Sequence, residues 1–148
     1  MPTGGKLIGA IAFAALAYFL SDLMKPILEP TEGTRVGALS PVNAIIGLLM
    51  GWTLIGKWAG KTYRQSFGFG LTTLAATVFW CALFWAGHKM LGLSVDLRYD
   101  GPTAALSDMG AMFIEHLKLF SVQAVLVPAL VGAIFMSWLT EFFARRWS

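Results

Sequence analysis

The stretch that decides the fold is Phe67–Leu91, which reads FGFGLTTLAATVFWCALFWAGHKML. Its only fully charged residue, Lys89, stands near its end, and the run exceeds the roughly 20 residues that a helix needs to cross a bilayer. Buried strands of roughly four to eight residues would require turn signals inside the run, and barrel strands would alternate apolar and polar residues. Neither pattern is present, so the stretch predicts a transmembrane helix.

Three further apolar segments share this character. The four predicted spans are about 7–24, 41–58, 67–91 and 122–143. Of the 148 residues, 57% are hydrophobic and only 13% are charged, whereas soluble domains have about a quarter of their residues charged. The predicted fold class is therefore an all-α integral membrane protein, a bundle of four transmembrane helices that forms a single domain over residues 1–148.

The segment before the last span predicts an additional helix that does not cross the membrane. In Thr103–Phe120 the apolar residues recur at helical spacing and the polar residues lie largely opposite, so this helix is amphipathic. Such a helix is expected in the outer interface or over the helix ends. The alternative is one long bent helix, Thr103–Arg146, with its bend at Ser121 and Pro128.

Two connecting segments carry turn and capping signals. Residues 25–40 contain two prolines and two glycines and predict a loop, which ends where Ser40 caps the second span and Pro41 opens it. The second connection ends in Asp100-Gly101-Pro102, where Asp100 is expected to cap the amphipathic helix and Pro102 to open it.

Composition and charge exclude several classes of protein. The single cysteine, Cys81, excludes an intramolecular disulfide and any cysteine-based zinc cluster. The net charge is +3, but the basic residues are scattered and form no run beyond Arg145–Arg146, so no nucleic-acid interface is expected. Ala15-Leu16-Ala17 matches a signal-peptide cleavage pattern, yet the apolar run continues beyond it, so we expect the first helix to be retained.

The distribution of lysine and arginine predicts the orientation. With the N-terminus inside, the inner set has six members and the outer set five; the inner ones are Lys6, Lys57, Lys61, Arg64, Arg145 and Arg146, and the outer ones Lys25, Arg35, Lys89, Arg98 and Lys118. The loop between the second and third spans determines the predicted orientation, because it holds three cations and no acid close to the membrane. Both termini are therefore predicted to be cytoplasmic.

Small residues at a spacing of four predict how the spans pack, because helices in lipid associate through close backbone approach. The predicted stripes are Ala10, Ala14, Ala17 and Ser21; Gly47 and Gly51, followed by Gly56 and Gly60; Gly68, Thr72 and Ala76; and Ala129, Ala133 and Ser137. Gly47, Gly51, Ala129 and Ala133 are the principal contact candidates. The same stripes would also serve contacts between copies of the chain.

A few polar side chains inside the spans are candidates for chemistry, because polar groups are costly there. Asp22 is expected to pair with Lys25 or to reach outer water, and Asn43 to bond a neighbouring helix. Trp80, near mid-span, is expected to pack in the core, and Trp85 to reach the outer interface. Cys81 is expected to be inert filler, because a thiol in hydrocarbon is a weak nucleophile.

Histidines and carboxylates of the outer side give one candidate metal or proton-relay cluster: His88, His116, Asp22 and Glu115, with Asp108 nearby. The sequence has no paired-histidine or C-x-x-C spacing that would support zinc. It also has no phosphate-binding glycine loop and no G-x-S-x-G motif. No catalytic residue, enzyme activity or cofactor is therefore predicted.

Three stretches together resemble the TrgA family of small bacterial membrane proteins, which is named for tellurite resistance. They are MPTGGKLIGA at 1–10, SPVNAIIGLLMGWTLIGK at 40–57, and the end of the chain, with DGPTAAL at 100–106 and ARRWS at 144–148. The resemblance covers essentially the whole chain. It implies a protein of the bacterial cytoplasmic membrane linked to tolerance of the tellurium oxyanion, and it supplies no catalytic residues.

Two classes of function follow from these observations. In one, the bundle contributes to oxyanion tolerance through transport or protection of the membrane. In the other, it is a non-catalytic accessory subunit of a larger respiratory or photosynthetic membrane complex. A carrier requires polar groups at mid-membrane, and this chain has few, so the residues alone favour the second class. The expected partners are the lipid bilayer and either copies of the chain or other membrane subunits.

Overall fold

Helices account for nearly all of the described chain. The computed structural model describes residues 3–32, 39–96 and 100–147, and within them the side chains of all residues except 3 and 28–32. The helices are α1 (Thr3–Glu32), α2 (Leu39–Met50), α3 (Gly56–Trp58), α4 (Tyr63–Val95), α5 (Pro102–Phe120) and α6 (Gln123–Arg146). A π-helical turn, Gly51–Ile55, joins α2 to α3, so Leu39–Trp58 forms one continuous helical segment.

Four of these helical segments are long and apolar enough to cross a membrane: Gly4–Ile27, Leu39–Trp58, Tyr63–Val95 and Gln123–Arg146. The prediction of an all-α bundle with four transmembrane helices is confirmed. Many of the largest apolar side chains point outward, including Phe79, Trp80, Phe84, Phe135 and Trp138. Because soluble bundles bury such residues, this outward apolar surface is what a lipid-facing protein requires.

The predicted loop at 25–40 is wrong in its first half, because α1 continues through Pro26 and Pro30 to Glu32. A proline removes one backbone hydrogen bond from a helix, and membrane helices tolerate that loss. Residues 33–38 of the predicted loop lie outside the described residues. Ser40 does not stand before α2 as its cap; it lies inside the helix, and its hydroxyl donates to Asp22 instead.

The amphipathic segment forms a helix of its own, α5, so the alternative of one continuous helix Thr103–Arg146 is wrong. The chain breaks at Ser121 and Val122, and Val122 has extended backbone angles (φ −60°, ψ 132°). Pro128 lies within α6 and does not end it. Pro102 opens α5 as predicted, but the residue that precedes it in the capping position is Gly101 rather than Asp100.

The spanning helices run antiparallel in sequence order, and the first span is the most enclosed of the four. α1 packs against α2 and α6, and α6 packs in turn against α4. We call the end of the bundle that holds the start of α1 and the end of α6 the termini end, because Gly4 lies against Trp147 there. The core between the helices consists of Phe13, Leu16, Leu20, Met24, Leu74, Val125, Ala129 and Ala133, among others.

α5 folds back along the second half of α4. Phe113 of α5 meets Phe79 of α4 edge-on at 5.5 Å, and the methyl group of Met109 lies beside Gly87. In α5 no residue is fully buried. Among the long helices of the described structure, α5 is therefore the least enclosed.

Glycines bring α1 and α2 into backbone contact. A Cβ atom on Gly47 would lie 2.6 Å from the carbonyl oxygen of Phe13, and one on Gly56 would lie 2.6 Å from the Cα of Lys6. Between them, a Cβ on Gly51 would collide with the carbonyl oxygen of Gly9. The π-helical turn adds one residue to the spacing, so that Gly56 follows Gly51 on the same face. The contact stripe is thus Gly47, Gly51 and Gly56.

Two predictions about packing are wrong, one for Gly60 and one for the stripe on α4. Gly60 lies in the turn after α3 with φ at +91°, and no atom lies near the position of its missing Cβ. On α4 the stripe of Gly68, Thr72 and Ala76 faces outward or only partly inward, and the buried stripe is Ser66, Gly70, Thr73 and Thr77. A helix that is apolar on all sides gives no sequence signal for its buried face, which explains the misassignment.

Candidate functional site

The most deeply buried charge in the described chain is Glu141, in the last turns of α6 at the termini end. Its side chain is almost fully enclosed. One carboxylate oxygen accepts hydrogen bonds from the backbone N–H of Gly60 at 2.8 Å and from the hydroxyl of Ser66 at 3.1 Å. The other accepts from Nε of Arg145 at 2.8 Å. We call these four residues the Glu141 cluster.

The Glu141 cluster fixes the turn between α3 and α4. Gly60 adopts a left-handed backbone conformation that side chains rarely allow, and its N–H points to Glu141. Arg145 also donates from Nη2 to the carbonyl oxygen of Lys61 at 2.6 Å, and its guanidinium lies over the ring of Tyr63 at 4.9 Å. One carboxylate and one guanidinium thus bond two adjacent residues of the turn, Gly60 and Lys61, and we call this arrangement the latch.

The sequence did not identify Glu141 as part of a site. The signal available was limited to Glu141 and Arg145 at a spacing of four, which usually marks an exposed helix pair of little energetic consequence. Ser66 and Gly60 had no feature that pointed toward α6. The burial of the carboxylate arises from the packing of α4 against α6, which the sequence does not encode locally.

A second polar group joins three helices near the opposite end. Nε1 of Trp85 on α4 donates to Oδ1 of Asn43 on α2 at 2.8 Å. Nδ2 of Asn43 donates to the hydroxyl of Ser21 on α1 at 2.9 Å, and that hydroxyl donates to the carbonyl of Ala17 at 2.7 Å. We call Trp85, Asn43 and Ser21 the Asn43 chain.

The Asn43 chain reverses the expected roles of two tryptophans. Trp85, expected at the outer interface, is half-buried and bonded inside the bundle. Trp80, expected in the core, is 48% exposed on the outer face of α4 and meets Phe79 edge-on. The interhelical bond expected of Asn43 is present, and its partners are Ser21 and Trp85.

Close to the Asn43 chain lies an ion pair at the end of the first span. Oδ1 of Asp22 is 2.6 Å from Nζ of Lys25 and accepts a 2.6 Å hydrogen bond from the hydroxyl of Ser40. The carboxylate is therefore occupied by a cation of its own helix and a hydroxyl of the next. The pairing of Asp22 with Lys25 at i+3 follows the sequence expectation.

A small cavity lies between α1, α2, α4 and α5. Its volume is about 30 Å³, and its polar lining includes Ser21, Asn43, Thr77, Cys81 and His116 amid apolar side chains. That volume corresponds to about one or two water molecules. It is too small to admit a solute of several heavy atoms in this conformation.

The candidate metal ligands are distributed over different surroundings. His88 is exposed and lies beside the rings of Phe84 and Trp85, whereas His116 lines the cavity. Glu115 is exposed on α5, and Asp22 is engaged as described above. Over the described ranges, no three His, Cys, Asp or Glu side chains form a group that would hold a metal ion.

The remaining polar atoms of the interior are satisfied locally. The hydroxyls of Thr73, Thr77 and Thr140 donate to backbone carbonyls one helical turn earlier, each at 2.7–2.8 Å. Among the residues that the structure describes, no buried side-chain nitrogen or oxygen lacks a hydrogen-bond partner.

Comparison with known proteins finds no family model, no curated protein and no solved structure that matches this chain.

Proposed function

We propose that this chain is a multi-pass protein of the bacterial cytoplasmic membrane that contributes to tolerance of tellurite as a helical scaffold, without catalytic chemistry of its own. The link to tellurite rests on the resemblance of the segments at 1–10, 40–57, 100–106 and 144–148 to the TrgA family. The proposal that the chain is a scaffold rests on the hydrogen bonding of its buried polar side chains.

One observation carries the scaffold proposal: buried polar side chains in the described spans are bonded to one another or to backbone. A carrier or an enzyme needs polar groups that are free to bind a solute, at mid-membrane for a carrier. Here the buried carboxylate of Glu141 accepts hydrogen bonds from three donors, and Asn43 bonds Ser21 and Trp85. The cavity has room for about one or two waters, less than an oxyanion requires.

We further propose that the termini end faces the cytoplasm. Lys6, Lys57, Lys61, Arg64, Arg145 and Arg146 all belong to the helix ends and turn that meet there. Within the described chain, the acid at this end is Glu141. Its carboxylate is buried among its hydrogen-bond partners, so it does not lower the positive charge of the surface. An excess of lysine and arginine in short loops marks the cytoplasmic side of membrane proteins.

The function is tested by removing the gene in its native host and restoring it from a plasmid. We expect removal to lower the tellurite concentration that arrests growth, and the wild-type chain to restore it. The Gly51→Leu variant, which cannot form the α1–α2 contact, is expected to fail. The Gly68→Leu variant, with an outward position on α4, is expected to succeed and serves as the matched control. Equal tolerance with and without the gene would overturn the proposal.

The exposed apolar surface of the α4–α5 hairpin favours a second candidate, an accessory subunit of a larger membrane complex. Leu91, Val95, Leu106 and Ile114 are each more than half exposed at this end of the molecule. Such a surface is buried either by lipid or by another subunit. Purification in mild detergent separates the two: co-purification of another subunit in fixed stoichiometry, lost in a Leu106→Asn/Ile114→Asn variant, supports the accessory role.

A further inference from the structure

The termini end carries two ammonium groups on one exposed indole. Nζ of Lys61 lies 4.4 Å from the ring centroid of Trp58, and Nζ of Lys57 lies 5.8 Å from it. The indole itself stacks on Phe69 at 5.1 Å, which fixes its plane against α4. Both ammonium groups thus lie within cation–π distance of the same indole ring.

Nothing in the described chain neutralises these two charges. Neither Lys57, Lys61 nor the neighbouring Arg64 forms an ion pair with a carboxylate among the residues that the structure describes. The nearby acid, Glu141, is buried and already accepts from Gly60, Ser66 and Arg145. Both lysine side chains are exposed and therefore accessible to an external anion.

The position of the pair indicates which anion is available. The turn at 59–62 connects two membrane-spanning segments, so Lys57 and Lys61 lie where the bilayer core ends. Tryptophan at this level lies among lipid headgroups, with its ring toward the acyl chains. The anion that a membrane presents at this depth is the phosphate of an anionic phospholipid.

We propose that Lys57, Trp58, Lys61 and Arg64 form a binding site for the phosphate headgroup of an anionic phospholipid. The two ammonium groups at the indole supply the donors, and the indole supplies the apolar surface at the glycerol level. Arg64, which is exposed in the first turn of α4, adds a third cation at this end of the bundle. The Glu141 cluster maintains the site, because Arg145 holds the carbonyl of Lys61 and Glu141 holds the adjoining amide of Gly60. This site is independent of the proposed role in tellurite tolerance.

The test uses the purified full-length chain in mild detergent, with phosphatidylglycerol and phosphatidylcholine of identical acyl chains as probes. Native mass spectrometry counts bound lipid, and thermal unfolding measures stabilisation. We expect phosphatidylglycerol to bind and to raise the melting temperature, and phosphatidylcholine to do neither. Each lysine removed is expected to weaken phosphatidylglycerol binding about fivefold, so Lys57→Gln/Lys61→Gln is expected to weaken it more than tenfold.

The matched control is Lys89→Gln/Lys118→Gln, which removes the same charge from α4 and α5 away from the termini end. This variant is expected to bind phosphatidylglycerol like the wild type. The proposal is overturned if both lipids bind equally, if the two double variants lose binding equally, or if the Lys57/Lys61 variant retains it. It is also overturned if millimolar inorganic phosphate displaces the lipid completely, since the site would then select a free anion.

Discussion

The carboxylate of Glu141 accepts a 2.8 Å hydrogen bond from the backbone N–H of Gly60, a residue 81 positions earlier in the chain. This bond ties the last helix to the turn between the second and third spans. The carboxylate also accepts hydrogen bonds from Ser66 and Arg145, so one buried group connects α6, the turn and the start of α4 at the termini end.

Replacing Glu141 with Gln is expected to destabilise the protein, because the neutral amide loses its charge-assisted bonds and presents an N–H₂ group to other donors. Hydrogen bonds to charged groups contribute about 1.5–3 kcal/mol, so we expect a loss of that order and a lower melting temperature in detergent. The control is Glu115→Gln, which makes the same change at an exposed position on α5. Equal melting temperatures for the two variants would contradict the latch.

Gly51→Leu tests the backbone contact between α1 and α2. Any side chain at this position collides with Gly9, and overpacking of this kind costs about 1–3 kcal/mol or more. Leu49→Ala trims an outward side chain that is 51% exposed and is expected to cost less. Gly68→Leu inserts the same side chain where nothing lies near the missing Cβ. The contact is refuted if thermal unfolding ranks Gly51→Leu as the mildest of the three.

Trp85→Phe tests the Asn43 chain. The substitution keeps an aromatic ring but removes the N–H that bonds Asn43, leaving an amide oxygen without its donor at an expected cost of about 1–3 kcal/mol. Trp80→Phe makes the same exchange on the outer face of α4, where we expect a change within about 0.5 kcal/mol. The measurement is thermal unfolding of the two variants side by side. A larger loss of stability in Trp80→Phe than in Trp85→Phe would show that the hydrogen bonds of the Asn43 chain do not stabilise the fold.

Reporter fusions test the orientation. Fusions in the turn between α3 and α4 and at Ser148 are expected to report the cytoplasm, and fusions near Glu32 and Asp96 the other side. The expectation follows from the basic residues of the termini end. If a fusion in the turn at 59–62 reports the far side while the protein remains intact, the orientation is reversed.

The sequence predicted the helices well because hydrophobic runs report membrane spans directly. It also predicted the Gly47 and Gly51 stripe, because small residues at a spacing of four on one short span leave few alternatives. It named Gly56 as well but paired it with Gly60, since the extra residue of the π-helical turn, which puts Gly56 on the face of Gly51, is not visible in a fixed spacing. The long helix α4 is apolar on every side, so its buried stripe and the roles of Trp80 and Trp85 depended on the arrangement of the other helices.

The candidate site was less predictable than the fold. Asp22 and Lys25 were within reach of sequence reasoning because they are neighbours on one helix turn. The bonds from Glu141 to Gly60 and Ser66 were not, because they depend on how α6 meets α4 far from each residue in sequence. Likewise, Cys81 and His116 come to line one cavity only because α5 folds back along α4.

The central claim, that the protein contributes to tellurite tolerance without chemistry of its own, is tested most directly by the triple variant Cys81→Ala/His88→Ala/His116→Ala. It is expressed at wild-type abundance in the native host that lacks the chromosomal gene, and growth is measured across tellurite concentrations. The account predicts that the triple variant restores tolerance to the wild-type level. Restoration by the wild type but not by the triple variant would contradict the account, because losing a metal ligand or a reactive thiol abolishes chemistry that a scaffold does not need.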